Sequence, residues 1–423
     1  MAARDVNSTL NTVWRMEAAR IIAALARQVR DVGLAEELAQ DALVAALERW
    51  PTDGIPDNPG AWLMTTARNR AIDRLRHHQL QRRKQDALGH EIEREQQAVQ
   101  AAQQVDPDDD IGDDLLRLMF VACHPVLGTE ARVALTLRLL GGLATDEIAR
   151  AFLVPEATIA QRIVRAKRTL SERDVPFEVP RAEEREARLG SVLEVLYLIF
   201  NEGYAATAGD DLMRPALCEE ALRLCRILAR LAPRDPEVHG LLALMALQAS
   251  RQRARVDAQG DPVLLADQDR GRWDRLLIRH GLTALARASQ LGGEGEPYAL
   301  QAAIAACHAR ARRVEDTDWD AIAALYSRLA QRTPSPVIEL NRAVAVSMAE
   351  GPAAGLVLVD ALADAPALRQ YHLLPTVRGD LLQKLGRHIE ARTAFEQAAA
   401  LARNTREKRL LEARAAACRR PSA

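Results

Sequence analysis

Apolar residues return at helical spacing from near Val13 almost to Ala417, and the pattern fails where Pro, Gly or Asp interrupt it and in the Gln- and Glu-rich stretch from Gln85 to Val105. A chain patterned this way has little choice beyond bundles and arrays of helices. The interruptions fall at Pro51 to Gly60, Asp106 to Asp110, Val175 to Pro180 and Gly292 to Gly295, with an irregular stretch at Val256 to Asp274. Composition agrees: Ala, Leu, Arg and Glu abound, and only 4% of the 423 residues are aromatic. An all-α protein of two to four compact units is the expectation.

The bulk properties exclude more than they assign. A formal net charge of -1 gives no global basic field, so any affinity for nucleic acid must come from local clusters. The cysteines, Cys123, Cys218, Cys225, Cys307 and Cys418, are odd in number and scattered, which reads as reduced thiols rather than a disulfide framework. Cys218, Cys225 and His239 hint at a metal, but no CxxC or HxxxH accompanies them, so no metal and no cofactor are expected. The N-terminus, Met1-Ala2-Ala3-Arg4-Asp5, lacks a signal-peptide layout. Val192 to Phe200 is interrupted by Glu194 and falls far short of the ~20 residues that span a bilayer. A cytoplasmic protein with no membrane partner is expected.

The sharpest local signal is Ala144 to Phe152, then Leu153-Val154-Pro155, then Glu156 to Leu170: helix, tight turn, helix. In the second helix Ile159, Ile163, Ala166 and Leu170 make an apolar stripe, while Thr158, Gln161, Arg162 and Arg165 share another face. Arg can fork onto guanine, Gln onto adenine, and Thr onto a base or a phosphate. Lys167 and Arg168 are placed to hold phosphates. An ordinary amphipathic helix with a solvated basic face is the bland alternative. Leu153 stands where such turns usually carry Gly, so either the turn is altered or packing compensates.

A second segment, Asn58 to Arg76, places Asn69, Asp73 and Arg76 on one face and Arg70, Arg74 and His77 on another. Its cationic density runs on through Arg82, Arg83 and Lys84. Such a helix suits contact with a DNA backbone, and Trp62 at its start suits stacking on an opened base or simple burial in a core. A third segment, Leu34 to Trp50, carries a mostly acidic stripe of Glu37, Gln40, Asp41, Val44 and Glu48, which alone is a weak signal. Near the C-terminus Gly379, Leu382, Gly386, Ala391, Phe395 and Ala398 fall where a tetratricopeptide (TPR) hairpin wants small and aromatic residues; the stretch before it, Ile338 to Ala361, fits poorly.

Together these segments resemble the sigma-70 family of bacterial RNA polymerase sigma factors. Ala35 to Leu43 looks like its polymerase-binding helix of region 2, Ala61 to Arg76 like its melting and -10-recognition segment, and Glu147 to Ala149 with Ala157 to Lys167 like region 4, which reads the -35 element. The order, with an acidic linker and no third domain between, is similar to the extracytoplasmic-function (ECF) group. Cys123-His124-Pro125, Asn201-Glu202-Gly203-Tyr204 and Asp267-Gln268-Asp269-Arg270 look like marks of a subgroup with a long helical extension ending in TPR-like repeats.

The resemblance implies region 2 over residues 1–80, a flexible acidic linker over 81–113 and region 4 over 114–175. A subgroup-specific helical domain over 181–290 and a TPR-like domain over 291–423 follow. It implies core polymerase contact through Glu37, Gln40, Asp41, Val44 and Glu48. It implies -10 contact through Asn58, Trp62, Arg68, Asn69, Arg70, Arg74 and Arg76, and -35 contact through Glu156, Thr158, Gln161, Arg162, Arg165, Lys167 and Arg168. Core RNA polymerase and promoter DNA are the expected partners, with a protein or peptide on the TPR-like surface. The competing class is a stand-alone helix-turn-helix regulator with a sensing extension, which leaves Ala61 to Arg76 unexplained. An enzyme built on Glu202, Tyr204, Asp267, Asp269 or Asp274 is disfavoured, because ion pairs to Arg270 or Arg272 would account for those carboxylates.

Overall fold

The structure, a computed structural model, describes residues 2–85, 111–207 and 209–418. The acidic run at 106–110 and the Gln- and Glu-rich stretch before it lie outside the described residues. Among those described the chain is helical throughout, with no β-strand. It divides into two compact units, Met1–Val195 and Leu196–Ala423. The sequence suggested a break at the prolines near 175–180; the boundary between the units falls later, inside a helix.

The first unit opens with α1 (Ala2–Val29), α2 (Val32–Asp53) and α3 (Pro59–Gln85), which pack on one another. Ile21, Ile22, Leu25, Trp50 and Leu63 are buried between them. Asp31 starts α2 by accepting the Leu34 N–H at 2.8 Å, satisfying a donor that the first turn would leave unpaired. Pro51 does not break α2 as its sequence suggests. It sits in the last turn, and the helix runs on through it to end at Gly54 with φ +86°.

Next come α4 (Ile111–Ala122), α5 (Thr129–Leu139), α6 (Thr145–Phe152) and α7 (Glu156–Glu172). The turn from α6 to α7 keeps its left-handed residue: Leu153 has φ 51° and ψ 42°, and the Val154 N–H reaches the Ala149 carbonyl at 3.1 Å. The helix-turn-helix is therefore unaltered, and Leu153 adopts a conformation that costs an L-residue about 1–2 kcal/mol. Its side chain is 54% exposed, so packing does little to compensate.

Between α4 and α5, Cys123-His124-Pro125 forms a turn that anchors α8 (Ala182–Tyr204). Ser191 donates to the Cys123 carbonyl at 2.6 Å, and Arg188 to the Phe120 carbonyl at 3.0 Å. Arg132 of α5 reaches Ser191 at 2.5 Å and Glu194 at 3.0 Å. Burial pushes the Cys123 thiol up to about 11 and holds His124 down at about 4, so both stay neutral.

In the second unit the end of α8 leads to α9 (Pro215–Leu231), α10 (Pro236–Ala249), α11 (Arg275–Gln290) and α12 (Pro297–Arg310). These are followed by α13 (Trp319–Arg332), α14 (Pro336–Ala349), α15 (Pro352–Asp360), α16 (Leu373–Lys384), α17 (His388–Leu401) and α18 (Thr405–Ala417). From α12 onward each helix packs on the one before it. At the α16–α17 hairpin Leu382, Ala391, Phe395 and Ala398 are buried, and a Cβ on Gly379 would sit 2.8 Å from the Phe395 ring. The expected small-residue hairpin is present; a hairpin alone does not make a TPR. The array also returns to its start. Thr405 N–H bonds the Gly209 carbonyl at 3.1 Å, and Arg406 bonds the Asp210 carbonyl at 2.9 Å.

Candidate polymerase and promoter surfaces

On α2 the buried face is Ala35, Glu36, Leu38, Ala39 and Ala42, which turns Glu37, Asp41, Val44 and Glu48 outward with Gln40 half-buried beside them. The acidic stripe is thus one continuous surface. Its edge meets α3 across a shallow groove of about 460 Å³, walled by Glu37 and Asp41 on one side and by Arg70, Asp73, Arg74 and His77 on the other. Arg70 Nη1 lies 3.5 Å from Asp41 Oδ2. An ion pair this exposed is worth under about 1 kcal/mol. It is a contact that a partner of either side can displace.

The α3 residues divide more sharply than their sequence suggests. Asn69, Arg74 and Arg76 are exposed and Arg70 is half-exposed. Asn58 caps the helix, its side chain accepting the Ala61 N–H at 3.0 Å. Trp62 packs edge-on against buried Trp50 with centroids 5.5 Å apart, so it is half core. Arg68 turns inward: its Nε is buried without a partner, and its pKa is lowered by burial and by Arg27 while Asp114 raises it. Asp114, 1% exposed, also takes Arg117 at 2.6 Å and Arg27 at 3.4 Å. This places Arg68 in an internal charge cluster rather than on the basic face. The side chains of Arg82, Arg83 and Lys84 lie outside the described residues.

The α7 helix buries Ile159, Ile163, Ala166 and Leu170, the stripe its periodicity requires. Glu156, Gln161 and Arg165 are exposed and Thr158 is half-buried. Arg162 is held by Glu130 of α5 at 2.6 Å, and Arg168 by Glu172 at 2.6 Å. Lys167 departs from expectation. Its amine does not face outward for a phosphate but pairs with Glu36 of α2, a residue only 2% exposed. Arg138 of α5 donates to the same carboxylate at 2.6 Å and to the Leu143 carbonyl at 3.1 Å. A carboxylate this buried needs both cations. Arg15 of α1 and Glu147 of α6 add a second, exposed link at 2.5 Å, while Glu147 also caps α6 by accepting the Ala144 N–H at 2.8 Å.

The suspected acid/base group of the extension is otherwise occupied. Glu202 pairs with Arg214 and accepts from Thr207; Asp269 and Asp274 cap local turns. Arg270 does not pair with them as its sequence suggests. It donates to the carbonyls of His308 at 2.6 Å and Ala311 at 2.9 Å. Cys218 and Cys225 are buried against the carbonyls of Phe200 and Val238. Among the described residues no cluster of metal-ligating side chains occurs, and no helix is long and apolar enough to cross a membrane.

A three-helix unit with an acidic outer stripe and a basic helix, followed by a helix-turn-helix, defines a class of two-part transcription factors. Comparison with known proteins gives the family. Residues 14–81 match the model of sigma-70 region 2, residues 117–170 that of sigma-70 region 4, and residues 188–289 that of a family of unknown function, DUF6596. An uncharacterized protein of Rhizobium meliloti is 46% identical over 387 residues, covering 91% of this chain and 90% of its own length. A protein named a probable ECF RNA polymerase sigma factor, SigI, from Mycobacterium tuberculosis is 28% identical over 205 residues, 46% of this chain and 68% of that protein. The ECF RNA polymerase sigma factor SigK of Mycobacterium ulcerans is 30% identical over 181 residues, 39% of this chain and 91% of that protein. The chain belongs to the ECF group of the sigma-70 family and carries a long C-terminal extension. It is an RNA polymerase sigma factor, and its two sigma-70 regions are those by which such factors bind core polymerase and promoter DNA.

Proposed function

We propose that the stripe Glu37, Gln40, Asp41, Val44 and Glu48 docks on core polymerase, and that Asn69, Arg70, Arg74 and Arg76 engage the -10 element beside it. The observation that carries this reading is the shared groove, in which Asp41 and Arg70 already touch. Polymerase that engages Asp41 releases Arg70 for DNA, so the two contacts support each other. Asn58 shapes the entry to α3, and Trp62 lies at its start, next to a base leaving the stack. Extruding a base costs a few kcal/mol, which contacts elsewhere must offset. Gln161, Arg162 and Arg165, with Glu156 and Thr158, read the -35 element in the major groove, and Arg168 holds the backbone. Lys167 joins them only after leaving Glu36.

The chemistry of RNA synthesis belongs to polymerase; this factor supplies none and acts in the cytoplasm beside it. The extension from Leu196 onward is a regulatory or partner-docking module, and its part over 291–423, read as TPR-like hairpins, offers a concave surface to a protein or peptide. Run-off transcription with core polymerase tests the whole reading. The full chain is expected to initiate at a defined start site, and the chain lacking 196–423 to respond differently to stimuli. Failure of the pure protein to associate with core enzyme would overturn it.

A further inference from the structure

The second unit gathers three cations that make no ion pair, although Glu315 and Asp316 act on Arg270 from further away. Arg251, Arg255 and Arg270 all lie at or near the irregular segment after α10. Arg255 sits 3.7 Å from the Tyr204 ring centroid and donates to the Tyr204 carbonyl. Arg251 donates to the Tyr204 hydroxyl at 2.8 Å and stands 5.8 Å from the Trp273 ring, which Arg270 approaches from 4.9 Å. Among the described residues none of the three has a carboxylate within ion-pair distance. Glu407, the carboxylate that acts on Arg255 after Tyr204 and Cys218, is itself paired with His372 at 3.4 Å. Burying a guanidinium without an anion is costly, and like charges side by side add to that cost.

Two further observations point to a ligand. Trp273 is 3% exposed, and its indole N–H has no acceptor; neither does Nε of buried Arg270. The surroundings are also shaped by tyrosines from distant helices. Tyr326 of α13 is pushed up to about 12 by burial and then by Tyr197, while Arg251 opposes the shift; Tyr371 is raised by burial, Glu407 and Tyr197. His308 is held down at about 4 by burial, Arg251 and Arg270, so it adds hydrogen-bonding capacity and no charge.

We propose that Arg251 and Arg255, backed by Trp273 and the tyrosines, form a binding site for a small ligand bearing a carboxylate or phosphate group. Arg251 is the principal contact, because only one of its nitrogens is engaged by protein atoms, whereas Arg270 is committed to two carbonyls and Thr317. The site lies in the extension and is independent of the polymerase and promoter surfaces.

The test uses the full chain labelled with 15N-tryptophan, its Trp273 indole signal assigned with Trp273→Phe. Inorganic phosphate and succinate are titrated separately, each against sodium chloride of equal ionic strength. A saturable shift of the Trp273 signal with phosphate, with succinate or with both is expected, and the responding anion identifies the group. Arg251→Met should weaken that binding at least tenfold, and Arg251→Lys should recover part of it. Signals that move no further than in chloride, or that titrate identically in Arg251→Met, would overturn the site. The wild-type titration decides by itself if a variant fails to fold.

Discussion

Glu36 is the residue whose replacement should change this protein most for the smallest alteration in shape. Glu36→Gln keeps the side-chain volume and removes the charge that Arg138 and Lys167 share. A hydrogen bond to a charged group contributes about 1.5–3 kcal/mol, against about 0.5–1.5 for a neutral one. Two such bonds weakened give about 2–3 kcal/mol. Both cations are about one-fifth exposed, at 22% and 21%, and so recover some hydration when released. About 2 kcal/mol is left, which is roughly a 30-fold shift toward a form in which α7 has left α2. A double-mutant cycle with Lys167→Met in urea unfolding isolates the pair. A coupling of about 1–2 kcal/mol is expected, together with faster hydrogen exchange in α7 of Glu36→Gln. Additivity within about 0.5 kcal/mol, with unchanged exchange, would refute the reasoning.

Four further outcomes are expected. Arg162→Ala should cost about 1–3 kcal/mol and relax selectivity at one -35 position in binding assays across promoter variants; a uniform loss would make it a phosphate contact instead. Arg74→Ala should impair open-complex formation, followed by permanganate footprinting, more than it impairs duplex docking; equal losses would remove the assignment. Leu153→Gly should raise stability by about 0.5–1 kcal/mol in thermal melts, since it relieves a left-handed leucine and gives back part of the gain to unfolded-state freedom. Acidification should weaken the second unit through His308, whose pKa near 4 lies below the unfolded value of about 6.5. The native state then binds fewer protons, so stability present above pH 6.5 is lost by up to about 2–3 kcal/mol as pH falls toward 4. His308→Gln should flatten that slope.

The parts of this molecule visible in its sequence are those set by neighbours in the chain. The α7 stripe was legible because Ile159, Ile163, Ala166 and Leu170 recur with the helix itself, and Leu153 was legible as an anomaly because the turn demands one conformation. The acidic stripe of α2 is legible for the same reason. The pairing of Lys167 with Glu36 is not legible because the two lie far apart in sequence, as Arg138 does, 102 positions from Glu36. One signal was available. Glu36 shares a face with Val32 and Ala39, both buried, so a carboxylate stood on an apolar stripe and required a cation from elsewhere. Asp114 likewise opens α4 in an acidic context that reads as solvated, yet it gathers arginines from α1 and α4. From sequence the Cys123-His124-Pro125 turn reads only as a subgroup mark; its role in anchoring α8 depends on Ser191 and Arg188, which no local pattern connects to it.

The link between Glu36 and Lys167 bears directly on how the factor meets a promoter. The -10 and -35 elements are about 25 base pairs apart, or about 85 Å of B-form duplex at about 3.4 Å per step. A helix that reads the -35 element cannot also bond to a helix that docks polymerase at the -10 element. On the proposed assignments of α7 and α2, the packed arrangement is a state of the factor away from DNA. Between α3 and α4 lie the 25 residues 86–110, whose fully extended reach is at most about 80–90 Å. A chain of that length permits the separation. Lys167 links the two states: in the packed form it neutralises Glu36, and in the open form the same amine is available to a phosphate. The exchange replaces one anion with another, so the cost of opening falls on Glu36 and Arg138. Shortening 86–110 by ten residues should leave the packed form intact by hydrogen exchange and abolish initiation at a normally spaced promoter. Activity at full spacing after that deletion would show that the two regions need not part.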